Sequence, residues 1–163
     1  MPTVVESRPG RGPLVVKAAV FINAVPGRVW AVLTGLRSLA HWDDLPDRYA
    51  GESLKHGSEL VWNRIDGGYT KLTVTTCDQE RRLRLSLYAS HWEHPPAAYD
   101  IAYTYSLAAS EGGTLLFIEI GDFSVLRRGQ AFFDASREFA DRAGAKIKAL
   151  AEDLTTPAGS GGS

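Results

Sequence analysis

From about residue 49 to residue 123 the chain alternates apolar and polar positions with a period of two, and from residue 132 the period lengthens to that of a helix. Residues 58–65 alternate around Leu60 and Trp62. Residues 70–78 set Leu72, Val74 and Thr76 against Lys71, Thr73 and Thr75. Residues 83–91 place Leu83, Leu85, Leu87 and Ala89 on one face, with His91 continuing it. In residues 99–107 the matching face holds Tyr99, Ile101, Tyr103, Tyr105 and Leu107. Residues 114–123 follow, and the glycine pairs 67–68 and 112–113 mark hairpin turns. Such alternation predicts an antiparallel sheet with one covered face.

Before this region, residues 14–23 are rich in Val, Ala and Phe and read as a strand. Pro26 suits the first turn of a helix carrying Val29, Trp30 and Leu33, with Gly35 as a left-handed stop. Residues 36–42 form a second short helix closed by Asp43, Asp44 and Pro46. At the other end Phe132, Ser136, Phe139, Ala143, Ile147, Leu150 and Leu154 step by fours and threes. That stripe predicts a helix of about 24 residues, roughly 36 Å long, with Arg137–Asp141, Glu138–Arg142 and Lys148–Glu152 as ion pairs on its wet sides. Only the sheet is broad enough to bury it. The predicted fold is α+β: a curved antiparallel sheet of six or seven strands wrapped around the long C-terminal helix. With one helix filling the bowl, a cavity is expected between helix and sheet.

Composition narrows the class. The chain has 163 residues with 18 Lys and Arg against 19 Asp and Glu, so it lacks the positive surplus a nucleic-acid binder needs. One cysteine, Cys77, excludes an intramolecular disulfide. No apolar run is long enough for a membrane span, and the first residues lack the order of a signal peptide. Residues 1–13 read as an irregular tail, 14–154 as one domain and 155–163 as a flexible tail. The expectation is a soluble cytoplasmic domain, monomer or homodimer. Phosphate-loop, dinucleotide and nucleophile-elbow motifs are absent. The spacing of His91 and His94 would suit a metal only on a helix, which Pro95 and Pro96 forbid. No metal and no cofactor are expected.

Several short segments resemble the START-like, or SRPBCC, superfamily with its helix-grip fold. Residues 24–30 (AVPGRVW) are similar to that family's opening of the first helix, and Trp42 to the tryptophan ending its second. Residues 77–83 (CDQERRL) resemble its strand junction, and Gly113 with Thr114 the start of its last strand. The likeness spans about residues 14–154. It implies a pocket for a medium-sized apolar ligand, and it leaves open whether the chain belongs with the polyketide cyclases or the chaperone-activator homology branch. The first implies an aromatic or polycyclic ligand and cofactor-free cyclase or dehydratase chemistry. The second implies a carrier or protein-interaction domain whose exposed sheet face carries the function.

Within the expected pocket, Leu85, Leu87, Ile118 and Ile120 supply apolar walls, with Phe132, Ser136 and Phe139 from the helix. Trp42 is a candidate lip of the mouth, and Trp62 a candidate wall. Tyr103 and Tyr105 carry phenols that need a partner if buried, and they could steady a developing enolate. His91, beside tyrosines, is the natural acid or base near neutral pH. Asp122 is placed to orient that imidazole at the mouth or to pair with Arg127 or Arg128; Arg64 could clamp an acidic ligand or lie solvated.

Overall fold

The computed structural model describes residues 12–43, 46–49 and 51–153. Most of both expected tails, Asp44 and Leu154 therefore lie outside the described residues. Six strands form one antiparallel sheet: β1 (Val16–Ile22), β2 (Glu59–Asn63), β3 (Tyr69–Asp78), β4 (Arg82–Ala89), β5 (Ala102–Ser110) and β6 (Gly113–Gly121). Their order is β1-β6-β5-β4-β3-β2, so consecutive strands pair throughout except that β1 closes onto β6. Helices α1 (Pro26–Thr34) and α2 (Leu36–Trp42) follow β1, and α3 (Gly129–Glu152) ends the chain. This is the predicted α+β layout. No helix among the described residues is long and apolar enough to cross a membrane.

The alternation sorts the sheet as expected. Val16 and Ile22, Leu83 and Leu85, Tyr105 and Leu107, and Leu116, Ile118 and Ile120 are buried on the inner face. A bulge between Val74 and Thr76 shifts the parity of β3, so Cys77, not Thr76, turns toward the core. Its thiol donates to the Leu54 carbonyl, and burial, with Asp78 beside it, pushes its pKa up, which keeps it an unreactive thiol.

Gly35 departs from its expected role. It is extended, with φ of −76°, and it joins α1 to α2 while bridging to Ser53. A side chain there would stand 2.9 Å from the Ala31 carbonyl, so close approach, not a left-handed turn, is what the glycine supplies.

The stripe of α3 is rotated from the one the large residues suggest. Ser136, Ala140, Ala143, Gly144, Ile147 and Ala151 are buried, while Phe132, Phe139 and Leu150 flank them half-buried. Small residues along the centre let the helix lie close on β1 and β6, which displaces the bulky rings to its sides. Its far end is tied down twice. Arg28 of α1 donates to the carbonyls of Ala151 and Asp153, groups that no further helical turn satisfies. Lys148 donates to the Phe21 carbonyl at 2.9 Å and to Glu152 at 2.7 Å, the expected i,i+4 pair. Arg137 instead lies over the Phe133 ring.

Candidate ligand cleft

Helix α3 rests on β1, β6, α1 and α2, leaving the inner faces of β4, β3 and β2 less covered. Trp62, Leu87 and Tyr103 point inward yet keep partial exposure, as do Phe132 and Phe139 across from them. Deeper positions on the same rows, Leu60, Leu85 and Tyr105, are sealed. These inward-facing side chains that water still reaches mark the least covered part of the interior between α3 and the sheet, where the ligand cleft is expected.

The polar end of this cleft is built from β5 and the end of α2. Tyr103 sits between Leu85 and Ile120, and Tyr105 between Leu83 and Ile118. Phe139 meets the Tyr103 ring edge-on at 5.7 Å, and Trp42 meets Tyr105 the same way at 5.8 Å. Asp43 caps α2, its N–H donating to the Leu39 carbonyl, and its negative charge reaches both phenols. Burial first, and Asp43 second, push the Tyr103 phenol up to about 12. The Tyr105 phenol is driven well above its usual value by burial, Asp43 and Tyr103 together. Both groups are therefore hydrogen-bond donors throughout the physiological range, beside a carboxylate.

This has a measurable consequence. Burial raises the folded-state pKa of Tyr103 from 10.0 to about 12, so the stabilisation it gives is complete below pH 10 and is lost as the pH climbs toward 12. Of the six tyrosines, Tyr103 and Tyr105 are expected to stay spectroscopically silent until alkaline unfolding exposes them. Tyr103→Phe should move that unfolding to higher pH. Ionisation of both phenols near pH 10 in the folded protein would contradict the burial.

A second aromatic group closes the other end. After Ala89 the chain leaves the sheet, and Trp92 folds back with its ring perpendicular to Phe132 at 6.1 Å. Tyr99 and Tyr88 flank it at 4.9 and 5.6 Å. Phe132 in turn stacks on Phe123 at 5.8 Å. The Trp92 indole nitrogen is buried without an acceptor among the described residues, a condition that costs about 1–3 kcal/mol.

Four expected placements are corrected. His91 is exposed in the turn after β4, because the strand ends at Ala89, and its charge is felt by Asp66, not by the phenols. Arg64 pairs with Asp66 at 3.2 Å within the β2–β3 hairpin. Asp122 neither meets an arginine nor enters the cleft. Its carboxylate accepts from the backbone N–H groups of Leu14 and Ser124, both at 2.9 Å; partial burial would raise its pKa, but these bonds outweigh that and lower it. Arg127 pairs with Glu93 instead. Trp42 is no lip: it is buried, and its indole donates to the Val32 carbonyl at 3.1 Å.

By contrast Trp62, Leu85, Leu87, Tyr103, Tyr105, Ile118, Ile120, Ser136 and Phe139 all share the interior between α3 and the sheet, with Phe132 at its rim. Reading the sequence missed Asp43 and Trp92. Asp43 reads as a helix stop, and Trp92 falls off the parity of β4; the prolines at 95 and 96 were the available sign that the strand ends early. On the opposite, outer face of the sheet, Thr76, Arg82, Arg84, Thr104, Ser106, Phe117 and Glu119 surround a separate concavity of about 490 Å³.

No protein-family profile matches the chain, and no curated protein does. Solved structures do. The fold is similar to that of the Aha1 dimer from Colwellia psychrerythraea, with a TM-score of 0.64 and 16% identity over 85% of this chain and 96% of that one. It is similar to DynU16, a protein in the dynemicin biosynthetic locus, with a TM-score of 0.65 and 15% identity; the match covers 90% of this chain and 50% of that one. CalU16 from Micromonospora echinospora matches with a TM-score of 0.55 and 16% identity, over 91% of this chain and 89% of that one. At such identities the likeness establishes the fold alone.

Proposed function

We propose that this chain is a START-like domain that binds a small aromatic or polycyclic molecule between α3 and the sheet. One observation carries the reading: the half-buried Tyr103 and the buried Tyr105 point inward among apolar side chains, with the negative charge of Asp43 reaching both phenols. The phenols suit a ligand carbonyl or phenolic oxygen, and the rings of Phe139 and Trp62 suit its flat faces. The resemblance to a protein from a biosynthetic locus supports a role in specialised metabolism.

Cyclase or dehydratase chemistry fits the same groups. With His91 in solvent, Asp43 takes over as the proton acceptor, removing a proton from the carbon next to a ligand carbonyl. Tyr103 donates a hydrogen bond to the enolate oxygen that forms. The outer concavity, with Arg82 and exposed Phe117, supports a second reading, a carrier or interaction domain like the chaperone-activator branch.

Titration with a panel of fluorescent aromatic probes and polyphenols separates the two. Saturable binding with a rise in melting temperature is expected, and Leu87→Trp, which fills the cleft, is expected to abolish it. No binding by any member of the panel would leave only the second reading.

A further inference from the structure

We propose that the concavity on the outer face of the sheet is a second binding site, one that takes a phenolic aromatic acid. It lies across the sheet from the interior beneath α3, and what that interior binds has no bearing on it. Its volume, about 490 Å³, is that of a small-molecule site. The strand register sorts its lining into two neighbouring rows of one polarity. Arg84 of β4, Thr104 of β5 and Glu119 of β6 stand side by side in the first. Arg82, Ser106 and Phe117 form the second. Cations therefore line one side, hydroxyls the floor, and a ring with a carboxylate the other side.

Arg82 is exposed and forms no ion pair among the described residues. Arg84 donates to the Thr75 hydroxyl at 3.1 Å and to Asp100 at 2.6 Å, which steadies its guanidinium. Asp100 is 90% exposed, so water screens that pair and leaves it open to competition. The two arginines are two residues apart on one face of β4, about 7 Å, and a carboxylate shared between them relieves their repulsion. On the far side Phe117 is 39% exposed, an aromatic surface without a cover. Glu119 beside it is exposed and stands across from Lys17 of β1. Adjacent strands lie about 4.8 Å apart, so β4 and β6 are separated by about 9.6 Å. An aromatic acid with a hydroxyl at the opposite end of its ring spans that distance. Its carboxylate meets the guanidinium groups, its ring lies along Phe117, and its hydroxyl donates to Glu119. A second anionic group at that end would be repelled by Glu119, so the ligand carries one acid group.

Three compounds isolate the contacts: p-coumarate has both groups, cinnamate lacks the hydroxyl, and p-vinylphenol lacks the carboxylate. Calorimetry at low salt and neutral pH should show saturable binding of p-coumarate, about 5–10-fold tighter than either relative. Added salt should weaken the two acids and leave p-vinylphenol unchanged. Arg82→Gln should weaken p-coumarate by about 5–10-fold. Glu119→Ala should remove the preference for p-coumarate over cinnamate, while cinnamate binds at least as tightly as before. Leu87→Trp, on the inner face, should leave all three affinities unchanged. No binding of p-coumarate, or a hydroxyl preference that survives Glu119→Ala, overturns the assignment and leaves the reading of the interior untouched. Binding that is lost in Leu87→Trp and kept in Arg82→Gln also overturns it, because the acid then occupies the interior.

Discussion

Phe123→Ala is expected to lower the unfolding free energy by about 3–5 kcal/mol. Phe123 is 0% exposed, in the short turn between β6 and α3, and it stacks on Phe132. Its surroundings are poorly able to collapse into the space. The Phe123 N–H donates to the Leu14 carbonyl and its own carbonyl accepts from Leu126, both at 3.0 Å, so the backbone is pinned on both sides. Asp122 next door holds Leu14 and Ser124. A cavity that cannot relax carries its full cost, the lost transfer energy plus the lost contacts. Urea unfolding should show a midpoint lower by about 1–3 M with an unchanged slope. A loss under about 1 kcal/mol would mean that the start of β1 and the start of α3 repack, contrary to this bonding.

How far the sequence could be read follows from the range of each interaction. In β4, β5 and β6 one face is buried and the other wet, so the period of two reports the fold directly, and Tyr103 and Tyr105 were placed by parity alone. Parity says nothing of where a strand ends. Extending β4 by two residues put His91 inside; the strand stops at Ala89, and the buried ring beyond it is Trp92. The bulge in β3 defeats parity in the same way at Cys77.

Polar side chains were the least legible. Arg64 is claimed by a carboxylate two residues away, and Asp122 by backbone N–H groups, partners with no periodic signature. Asp43 acts on Tyr103 and Tyr105 across some sixty residues of chain, a meeting only the tertiary fold arranges. In α3 the large residues drew the stripe toward themselves, whereas the helix turns its small residues to the strands because close packing favours them.

Trp42→Ala should cost about 3–5 kcal/mol, a value that distinguishes a structural tryptophan from one at the rim of a pocket. Trp42 is 5% exposed and does two things at once. Its indole donates to the Val32 carbonyl, tying α2 back to α1, and its ring closes over Tyr105. Trp42→Phe keeps most of the packing and loses the bond, so about 1–2 kcal/mol is expected from it. Tyr105 supplies an independent readout: its phenol is raised chiefly by burial, so removing the ring above it should bring its ionisation back toward 10.0. Alkaline titration of Trp42→Ala should therefore reveal one more ionising tyrosine below the unfolding pH than the parent protein shows. A stability loss under about 1 kcal/mol, with Tyr105 still silent, would return Trp42 to the lip of the mouth.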